Sequence, residues 1–166
     1  MSTLTKPLFE LTATDLMSRQ LVTVPRKMSL HGAAHRLAQA QVSGAPVIDE
    51  DGRCIGILSA TDLVRWLDRG DAPRRQSGCA CAEVYAPWQM VDLTELPVDE
   101  VERYMTTDLV SVDPATTIGE LARLMLDAHI HRVVVLDAGG RPAGMVTTTD
   151  VLAAVARCEA LEGHLG

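Results

Sequence analysis

Hydrophobic and polar positions follow the same order twice along the chain. Each copy holds a short apolar run, apolar residues spaced three and four apart, two further apolar runs around a turn, and a final stretch with helical spacing. Short apolar runs between turn residues are typical of strands, and spacing of three and four is typical of amphipathic helices. The pattern therefore predicts strand, helix, strand, strand, helix in each copy, which is an α/β (α+β) fold class.

The first copy has clear signals for its strand ends and helix starts. Its strands are predicted over residues 21–24, 42–49 and 54–59. Pro25 ends the first strand because it cannot donate to a ladder, and Ser29 can serve as the N-cap of the first helix. The second helix is predicted from about Thr61 to a point before Gly70. The apolar positions that we expect these helices to bury are Leu30, Ala33, Ala34, Leu37, Ala38, Leu63, Val64, Trp66 and Leu67.

The second copy repeats this order with a stronger helix start. Thr117 and Glu120 have the spacing of a capping box, in which each side chain bonds a free amide of the first turn. Strands are predicted over 132–136 and 142–147, and a last helix over about 149–161. The residues of the first helix that we expect to face the core are Leu121, Leu124, Met125 and Ala128.

The two copies are an internal duplication. A shift of 88 residues places 16–64 on 104–152 without a gap and with 13 identical positions. We divide the chain into an N-terminal arm (1–14), a first repeat (15–69), an inter-repeat segment (70–103), a second repeat (104–161) and a C-terminal tail (162–166).

The longest repeated motif runs from Gly56 to Asp62 and again from Gly144 to Asp150. In each copy a strand ends in hydroxyls and a carboxylate where a helix begins. Free amides at a helix start attract phosphate, hydroxyls donate to phosphate oxygens, and a carboxylate accepts hydrogen bonds from ribose. The candidate ligand-binding residues are Ser59, Thr61, Asp62, Thr147, Thr149 and Asp150. The alternative is structural, with Thr61 and Thr149 as N-caps and the two aspartates as first-turn acids.

The chain resembles the family of cystathionine-β-synthase (CBS) domain pairs, also called Bateman modules. The resemblance rests on the paired units, on Met17-Ser18 and Met105-Thr106 before the first strands, and on the Gly-h-h-[ST]-x-x-Asp ends. It implies two tandem β-α-β-β-α units that pack through their sheets about a pseudo-two-fold axis and leave two clefts. It also implies an adenosine ligand such as AMP, ADP, ATP or S-adenosylmethionine, with Asp62 and Asp150 on ribose and the hydroxyl residues on ribose or phosphate. Such modules often dimerise into a flat disk.

His131 and Arg132 distinguish the two copies. They stand at the start of a strand where nucleotide-binding members of the resembled family carry a His-Arg pair directed at phosphates, whereas the first repeat has Ser43 and Gly44. An arginine fork can hold a phosphate through two hydrogen bonds. We therefore expect phosphorylated ligands to prefer the Asp150 site. The structural alternative is that both side chains only solvate a strand edge.

Composition narrows the function class. The chain has 166 residues and a net charge of −7, which disfavours bulk binding to nucleic acid or anionic lipid. No apolar run reaches the length of a membrane span, and the first residues lack the apolar core of a signal peptide, so we expect a soluble cytoplasmic protein. Four cysteines are too few for a disulfide scaffold.

The inter-repeat segment matches neither copy. We expect residues 77–82 to be mobile and 84–96 to pack on the body, and we expect the acidic, partly apolar stretch 83–102 to present a partner surface. Cys79 and Cys81 are too close for a zinc knuckle and are interpreted as free thiols, with redox sensing as the minor alternative. His31 and His35 could chelate a metal but lack a third ligand. We interpret Trp66, Trp88 and Tyr104 as packing residues.

The sequence shows no catalytic triad, Walker loop or metal cluster, and we predict that the protein is not an enzyme. The predicted function is a stand-alone regulatory module, with energy sensing as its role. It would be homodimeric, bind an adenine nucleotide, use no catalytic cofactor or metal, and signal occupancy to an unknown protein partner. The alternative is a structural dimerisation module with empty clefts.

Overall fold

The computed structural model describes residues 6–68, 96 and 98–162, and the side chains of these residues except 64, 66–68 and 159–162. The helices are α1 (Ala13–Leu16), α2 (Leu30–Gln39), α3 (Ala60–Asp68), α4 (Ile118–Asp127) and α5 (Thr148–Glu162). The strands are β1 (Val24–Pro25), β2 (Gly44–Ile48), β3 (Cys54–Ser59), β4 (Ser111–Val112), β5 (Arg132–Leu136) and β6 (Pro142–Thr147). Short 3₁₀ helices cover Leu8–Glu10 and Val101–Arg103. The mixed α+β class and the twofold order of elements are confirmed.

The chain divides into two compact units. Unit I is residues 22–109 and contains the elements β1, α2, β2, β3 and α3. Unit II combines residues 1–21 with 110–166 and contains the elements α1, β4, α4, β5, β6 and α5. The residues that precede the first strand of each repeat therefore belong to the unit built around the other repeat.

Each unit holds one three-stranded sheet, in the order β1-β2-β3 or β4-β5-β6. The first strand runs parallel to the second, and the second runs antiparallel to the third. The strand predicted over 21–24 is shorter than expected and shifted, because only Val24 and Pro25 pair with β2. Pro25 is tolerated there because β1 lies at the sheet edge, where a missing amide breaks no ladder.

The hairpin turns of the two units are built in the same way. Asp49 Oδ1 accepts hydrogen bonds from the amides of Asp51 and Arg53, and Gly52 has a positive φ of 78°. In unit II, Asp137 accepts from the amides of Gly139 and Arg141, and the φ of Gly140 is 75°. Glycine adopts this conformation without the steric cost that a Cβ would bring. The identical aspartates and glycines of the duplication therefore set the turn geometry.

Each unit has its own hydrophobic core. In unit I the core joins α2, the sheet and the start of α3 to two residues of the inter-repeat segment, and it consists of Val24, Leu30, Ala33, Ala34, Leu37, Ala45, Val47, Leu58, Ala60, Leu63, Leu96 and Val101. In unit II the core includes residues of the N-terminal arm and of α1, and it consists of Leu11, Ala13, Leu16, Ile118, Leu121, Met125, Val133, Val135, Val146 and Ala154. The prediction that Ala128 faces the core is wrong, because Ala128 is the exposed C-cap of α4.

The predicted starts of α2 and α4 agree with the structure. Ser29 Oγ accepts from the Gly32 amide at 3.1 Å, as an N-cap does. Glu120 accepts from the amide and the hydroxyl of Thr117 at 2.9 and 2.8 Å, and the Thr117 hydroxyl accepts from the Glu120 amide at 3.4 Å. The capping box is therefore formed.

Several predictions fall outside the described residues. They concern the mobility of 77–82, the packing of 84–95, the thiols Cys79 and Cys81, and Trp88. Leu96 is described and is buried, with 5% of its surface exposed.

Candidate functional site

The repeated motif lies where the last strand of each sheet passes directly into a helix. β3 ends at Ser59 and α3 begins at Ala60, while β6 ends at Thr147 and α5 begins at Thr148. Ser59 and Thr147 therefore occupy the N-cap position. The structural alternative that made Thr61 and Thr149 the N-caps is wrong, because both are the second residue of their helix and both are exposed.

In unit II, one oxygen of the Asp150 carboxylate is fixed by the preceding strand end. Oδ2 accepts from the Thr147 amide and from the Thr147 hydroxyl, both at 2.8 Å, and Thr147 Oγ1 in turn accepts from the Asp150 amide at 3.3 Å. This is a reciprocal cap of the helix start. Oδ1 accepts no hydrogen bond from the part of the chain that the structure describes. Asp150 is half-buried, and the two hydrogen bonds to Oδ2 hold its carboxylate, and so Oδ1, in a fixed orientation.

In unit I, the Asp62 carboxylate is used at both oxygens. Oδ2 accepts from the Ser59 amide at 2.8 Å and from the Ser59 hydroxyl at 2.7 Å. Oδ1 accepts from the Thr106 hydroxyl at 2.8 Å and lies 3.7 Å from Nη1 of Arg65. Asp62 is buried, with 7% of its surface exposed. The two aspartates of the duplication therefore have different surroundings.

Thr106 is the contact that the sequence interpretation missed. Its backbone pairs with Ile57 on β3 through two hydrogen bonds of 3.0 and 2.9 Å, and Ser18 pairs with Met145 on β6 in the same register. The recurrence of Met17-Ser18 and Met105-Thr106 was the available signal, but it did not indicate that one hydroxyl reaches an aspartate and the other does not.

The glycine that opens each motif allows this pairing. A Cβ on Gly56 would lie 2.7 Å from the Thr106 carbonyl oxygen, and a Cβ on Gly144 would overlap the side chain of Met17. Both strands therefore need a residue without a side chain at this position.

His131 and Arg132 lie beside the start of α5. The Thr148 amide donates to the His131 carbonyl at 3.0 Å, and Arg132 pairs with Thr147 across β5 and β6. The structure thus brings Arg132 to the end of the sheet where Thr147 precedes the helix that carries Asp150. Arg132 is half-buried, and this burial lowers its pKa below the ordinary value for arginine. His131 is exposed.

The corresponding edge of unit I carries no charge at these two positions. The Ala60 amide donates to the Ser43 carbonyl at 2.9 Å, and Gly44 pairs with Ser59. The backbone arrangement is therefore the same in the two units, and the cationic side chain is specific to unit II.

Unit II also has an apolar groove between α4 and α5, which the sequence did not indicate. Its volume is about 550 Å³. It is lined by Ala122, Met125, Leu126, His129, Ile130, His131, Thr148, Val151 and Leu152. Leu126 and Leu152 are 72% and 67% exposed, which is unusual for leucines on adjacent helices.

Metal and thiol chemistry have little support in the described ranges. No group of three His, Cys, Asp or Glu side chains gathers there in a way that could hold a metal ion. Cys54 and Cys158 are free, and burial raises the pKa of the Cys54 thiol, which disfavours the reactive thiolate. No helix in this part of the chain has the length and apolarity needed to cross a bilayer.

Comparison with known proteins gives a consistent result. The family model "CBS domain" matches residues 13–69 and 98–157. The chain is 26% identical over 127 residues to the CBS domain-containing protein CBSX1, chloroplastic, of Arabidopsis thaliana, covering 74% of this chain and 53%, about half, of that relative. It is also 26% identical to an uncharacterized protein of Methanocaldococcus jannaschii, MJ1426, covering 85% of this chain and 89% of that protein.

Solved structures show the same fold. The crystal structure of CBSX2 in complex with AMP has a TM-score of 0.68 and 24% identity, covering 89% of this chain and 98% of that one. The CBS domain pair of protein MJ0100, in complex with 5′-methylthioadenosine and S-adenosyl-L-methionine, has a TM-score of 0.67 and 20% identity, covering 88% and 96%.

Proposed function

Because the chain belongs to the CBS domain family, we propose that it is a regulatory module that binds an adenosine ligand, with its main site in unit II. The observation that carries the proposal is the Asp150 carboxylate, which is fixed through Oδ2 and accepts no hydrogen bond at Oδ1 from the described residues. The AMP and S-adenosylmethionine complexes of structurally similar proteins support the ligand class. AMP, ADP and ATP are the ligands that we favour because a cationic side chain stands beside the site.

Ribose recognition falls to the start of α5. A ribose hydroxyl can donate to the open Oδ1 of Asp150, and a hydrogen bond to an ionised acceptor is stronger than one between neutral groups. Thr149 adds an exposed hydroxyl one residue earlier on the helix. Thr147 fixes the carboxylate and so preserves its orientation.

Phosphate recognition falls to Arg132 and His131. Arg132 is half-buried and pairs with Thr147 at the end of the sheet, where partial exclusion of water strengthens its attraction for an anion. Arg132 and Asp150 therefore divide the ligand between them, with phosphate on the guanidinium and ribose on the carboxylate. S-adenosylmethionine lacks the phosphate, so it would keep the ribose contact with Asp150 and lose the phosphate contact with Arg132.

Isothermal titration with AMP and adenosine tests this division. Arg132→Gln should weaken AMP binding about 10-fold or more and leave adenosine binding nearly unchanged, because only AMP carries the phosphate. Thr149→Val should weaken both ligands. Its matched control is Thr61→Val, which alters the equivalent exposed residue of unit I and should leave both affinities near wild type.

A failure of the proposal would be equally clear. If AMP, ADP, ATP and S-adenosylmethionine give no heat and no change in melting temperature, the nucleotide function is wrong, because a ligand that binds the folded state must stabilise it. If Arg132→Gln weakens AMP and adenosine equally, the phosphate role of Arg132 is wrong.

Regulation requires that the ligand favours one state of the module over another. A ligand shifts such an equilibrium only by the difference between its affinities for the two states, and a protein partner must change ligand affinity by the same factor. We propose energy sensing on this basis, with AMP and ATP competing for the Asp150 site. Competition titration checks this, and simultaneous binding of AMP and ATP would contradict it.

The groove between α4 and α5 favours homodimerisation. The same surface has both a groove and the exposed leucines Leu126 and Leu152. In an isologous dimer each copy uses the same surface, so the leucines of one copy can fill the groove of the other. We propose that a second copy covers this face. This dimer is also the alternative function, in which the module assembles without a ligand.

Light scattering at several protein concentrations tests the dimer. Wild type should have twice the mass of one chain, and Leu126→Glu with Leu152→Glu should give the monomer, because buried charges at the patch centre are costly. Val98→Glu is the control, since Val98 is 87% exposed in unit I. A monomeric wild type at every concentration would contradict the proposal.

A further inference from the structure

We propose that Thr106 closes the Asp62 site, so that the module binds one nucleoside per chain although the motif occurs twice. The inference rests on the proposed function and concerns the first copy of the motif. It assigns Asp62 a structural role and makes Thr106 the residue that determines which copy is open to ligand.

The first step is the hydrogen bonding of Asp62. Its Oδ2 accepts twice from Ser59, and its Oδ1 accepts from the Thr106 hydroxyl at 2.8 Å. Oδ1 keeps one lone pair, because a carboxylate oxygen can accept two hydrogen bonds, but only 7% of the surface of Asp62 is exposed and the Thr106 hydroxyl lies against that oxygen. A ribose hydroxyl would have to displace the Thr106 hydroxyl to reach Oδ1. Hydrogen bonds to charged groups change equilibrium constants by roughly 10- to 150-fold, so this displacement would lower affinity by a comparable factor.

The second step is the equivalent position in unit II. A shift of 88 residues relates Thr106 to Ser18, Asp62 to Asp150 and Arg65 to Ala153. Ser18 pairs with Met145 through its backbone as Thr106 does with Ile57, yet its hydroxyl makes no hydrogen bond with Asp150. Ser18 is exposed, whereas Thr106 is half-buried.

The residue types explain the difference. Threonine is restricted at χ1 by its branched Cβ, so the hydroxyl of the half-buried Thr106 has few alternative positions. Serine lacks this restriction. Nη1 of Arg65 also lies 3.7 Å from Oδ1 of Asp62, and Ala153 supplies no charge at the equivalent position of unit II. Two partners of Asp62 are therefore absent around Asp150.

The consequence is a division of roles within one duplication. Residues 98–106 pair through their backbone with Met28, Ser29 and Ile57 of unit I. The bond between Thr106 and Asp62 connects this segment to the start of α3. Asp150 keeps an oxygen for ligand. This division comes from the Thr106 hydroxyl with Arg65 beside it, and it is independent of the phosphate preference that Arg132 produces.

Titration with adenosine tests the inference, because a ligand without phosphate removes the contribution of Arg132. Wild type should bind one adenosine per chain. Thr106→Val keeps the shape and removes the hydroxyl, and should reveal a second binding event. Thr107→Val is the matched control, since Thr107 is exposed beside Thr106 and makes no side-chain hydrogen bond with the described residues. It should bind one adenosine. In Asp150→Ala, adding Thr106→Val should produce binding where Asp150→Ala alone has almost none.

A double-mutant cycle provides a readout without ligand. Thr106→Val and Asp62→Asn, measured alone and together by urea unfolding, should show a coupling of about 5- to 100-fold in the unfolding equilibrium constant. Additive effects would show that the bond does not hold Asp62, and would overturn the inference.

The outcomes separate this inference from the proposed function. Two equal sites in wild type, or one site in wild type and in Thr106→Val alike, would overturn the closure. No binding to wild type but one site in Thr106→Val would refute the Asp150 site and uphold the closure. No adenosine binding to either protein would overturn both.

Discussion

At the residue scale, Gly56 and Gly144 contact neighbours that differ in how easily they can move. A Cβ at Gly56 would meet the backbone oxygen of Thr106 at 2.7 Å, whereas at Gly144 all close atoms belong to the Met17 side chain. Backbone in a paired segment cannot move cheaply. At Gly144 a rotamer change can move Sδ and Cγ of Met17, but Met17 Cβ at 2.9 Å requires a small backbone shift as well. We predict that Gly56→Ala lowers the free energy of unfolding by about 2–3 kcal/mol and Gly144→Ala by about 1–2 kcal/mol. Urea unfolding measures both, and equal losses would contradict the argument.

Asp15 links stability to pH. The hydrogen bond from the Thr12 amide at 3.0 Å lowers the pKa of Asp15 most, with Lys6 adding to the effect and burial opposing it. Because folding favours the ionised form, the stability that Asp15 contributes is present above its unfolded pKa of about 4 and is lost as pH falls through the lower folded pKa. Asp15→Asn should therefore be less stable than wild type at pH 7, and the difference should shrink as pH falls below about 4.

Urea unfolding between pH 3 and pH 7 checks this prediction. Asp108→Asn is the control, because Asp108 is exposed and makes no hydrogen bond or ion pair with the described residues, and its unfolding curve should follow wild type. A constant difference between Asp15→Asn and wild type across the pH range would show that the Asp15 charge is not involved.

At the element scale, α2 and α4 end in the same strained way. Gln41 and His129 have φ of 54° and 51°, and the amides of Val42 and Ile130 reach back to the carbonyls of Leu37 and Met125. This is a Schellman ending, in which glycine is the usual residue because a Cβ is unfavourable at positive φ. The fold therefore accepts a local cost at both helix ends.

Gln41→Gly should relieve that cost. We predict a gain of about 1 kcal/mol in the free energy of unfolding, because the left-handed conformation costs other residues roughly that amount. Ala40→Gly is the matched control, since Ala40 has φ of −78° and gains nothing from glycine. It should be destabilised. A thermal melt decides the matter, and a loss of stability in Gln41→Gly would contradict this account of the helix end.

The elements with local causes could be predicted from the sequence. β3, β5 and β6 have the predicted bounds because each is an apolar run beside a turn whose aspartate and glycine fix its geometry. α1 could not be predicted, since four residues have no periodicity and its hydrogen bonds run to Pro114 and Thr116.

The candidate site divides in the same way. The strand-to-helix junction that holds Asp62 and Asp150 followed from the motif. The bond from Thr106 to Asp62 did not, because it joins residues 44 apart and depends on how one segment pairs with β3. The N-cap was predicted two residues too late, at Thr61 and Thr149, because threonine is a common N-cap residue. The Asp62 and Asp150 carboxylates accept from the amides of Ser59 and Thr147, so these two residues are the N-caps.

At the scale of the whole molecule, the compact units and the sequence repeats have different boundaries. Unit II takes residues 1–21, and three of them, Leu11, Ala13 and Leu16, are buried in its core. Backbone hydrogen bonds of 2.8 Å join Ile118 to Leu11 and Ala13 to Thr116. Burial of a leucine side chain contributes roughly 1.5–3 kcal/mol, so losing two leucines removes much of the stability of a small domain.

A fragment of residues 104–166 should therefore not fold cooperatively, although it contains a complete sequence repeat. A fragment of 110–166 joined to 1–21 through a flexible linker should fold, because it restores Leu11, Ala13 and Leu16 to the core of unit II. The joined fragment with Leu11→Asp is the control and should fail to fold, since an unpaired buried carboxylate is costly. Circular dichroism during urea unfolding distinguishes these cases. A cooperative transition in 104–166 alone would show that the repeat, and not the compact unit, is the folding unit.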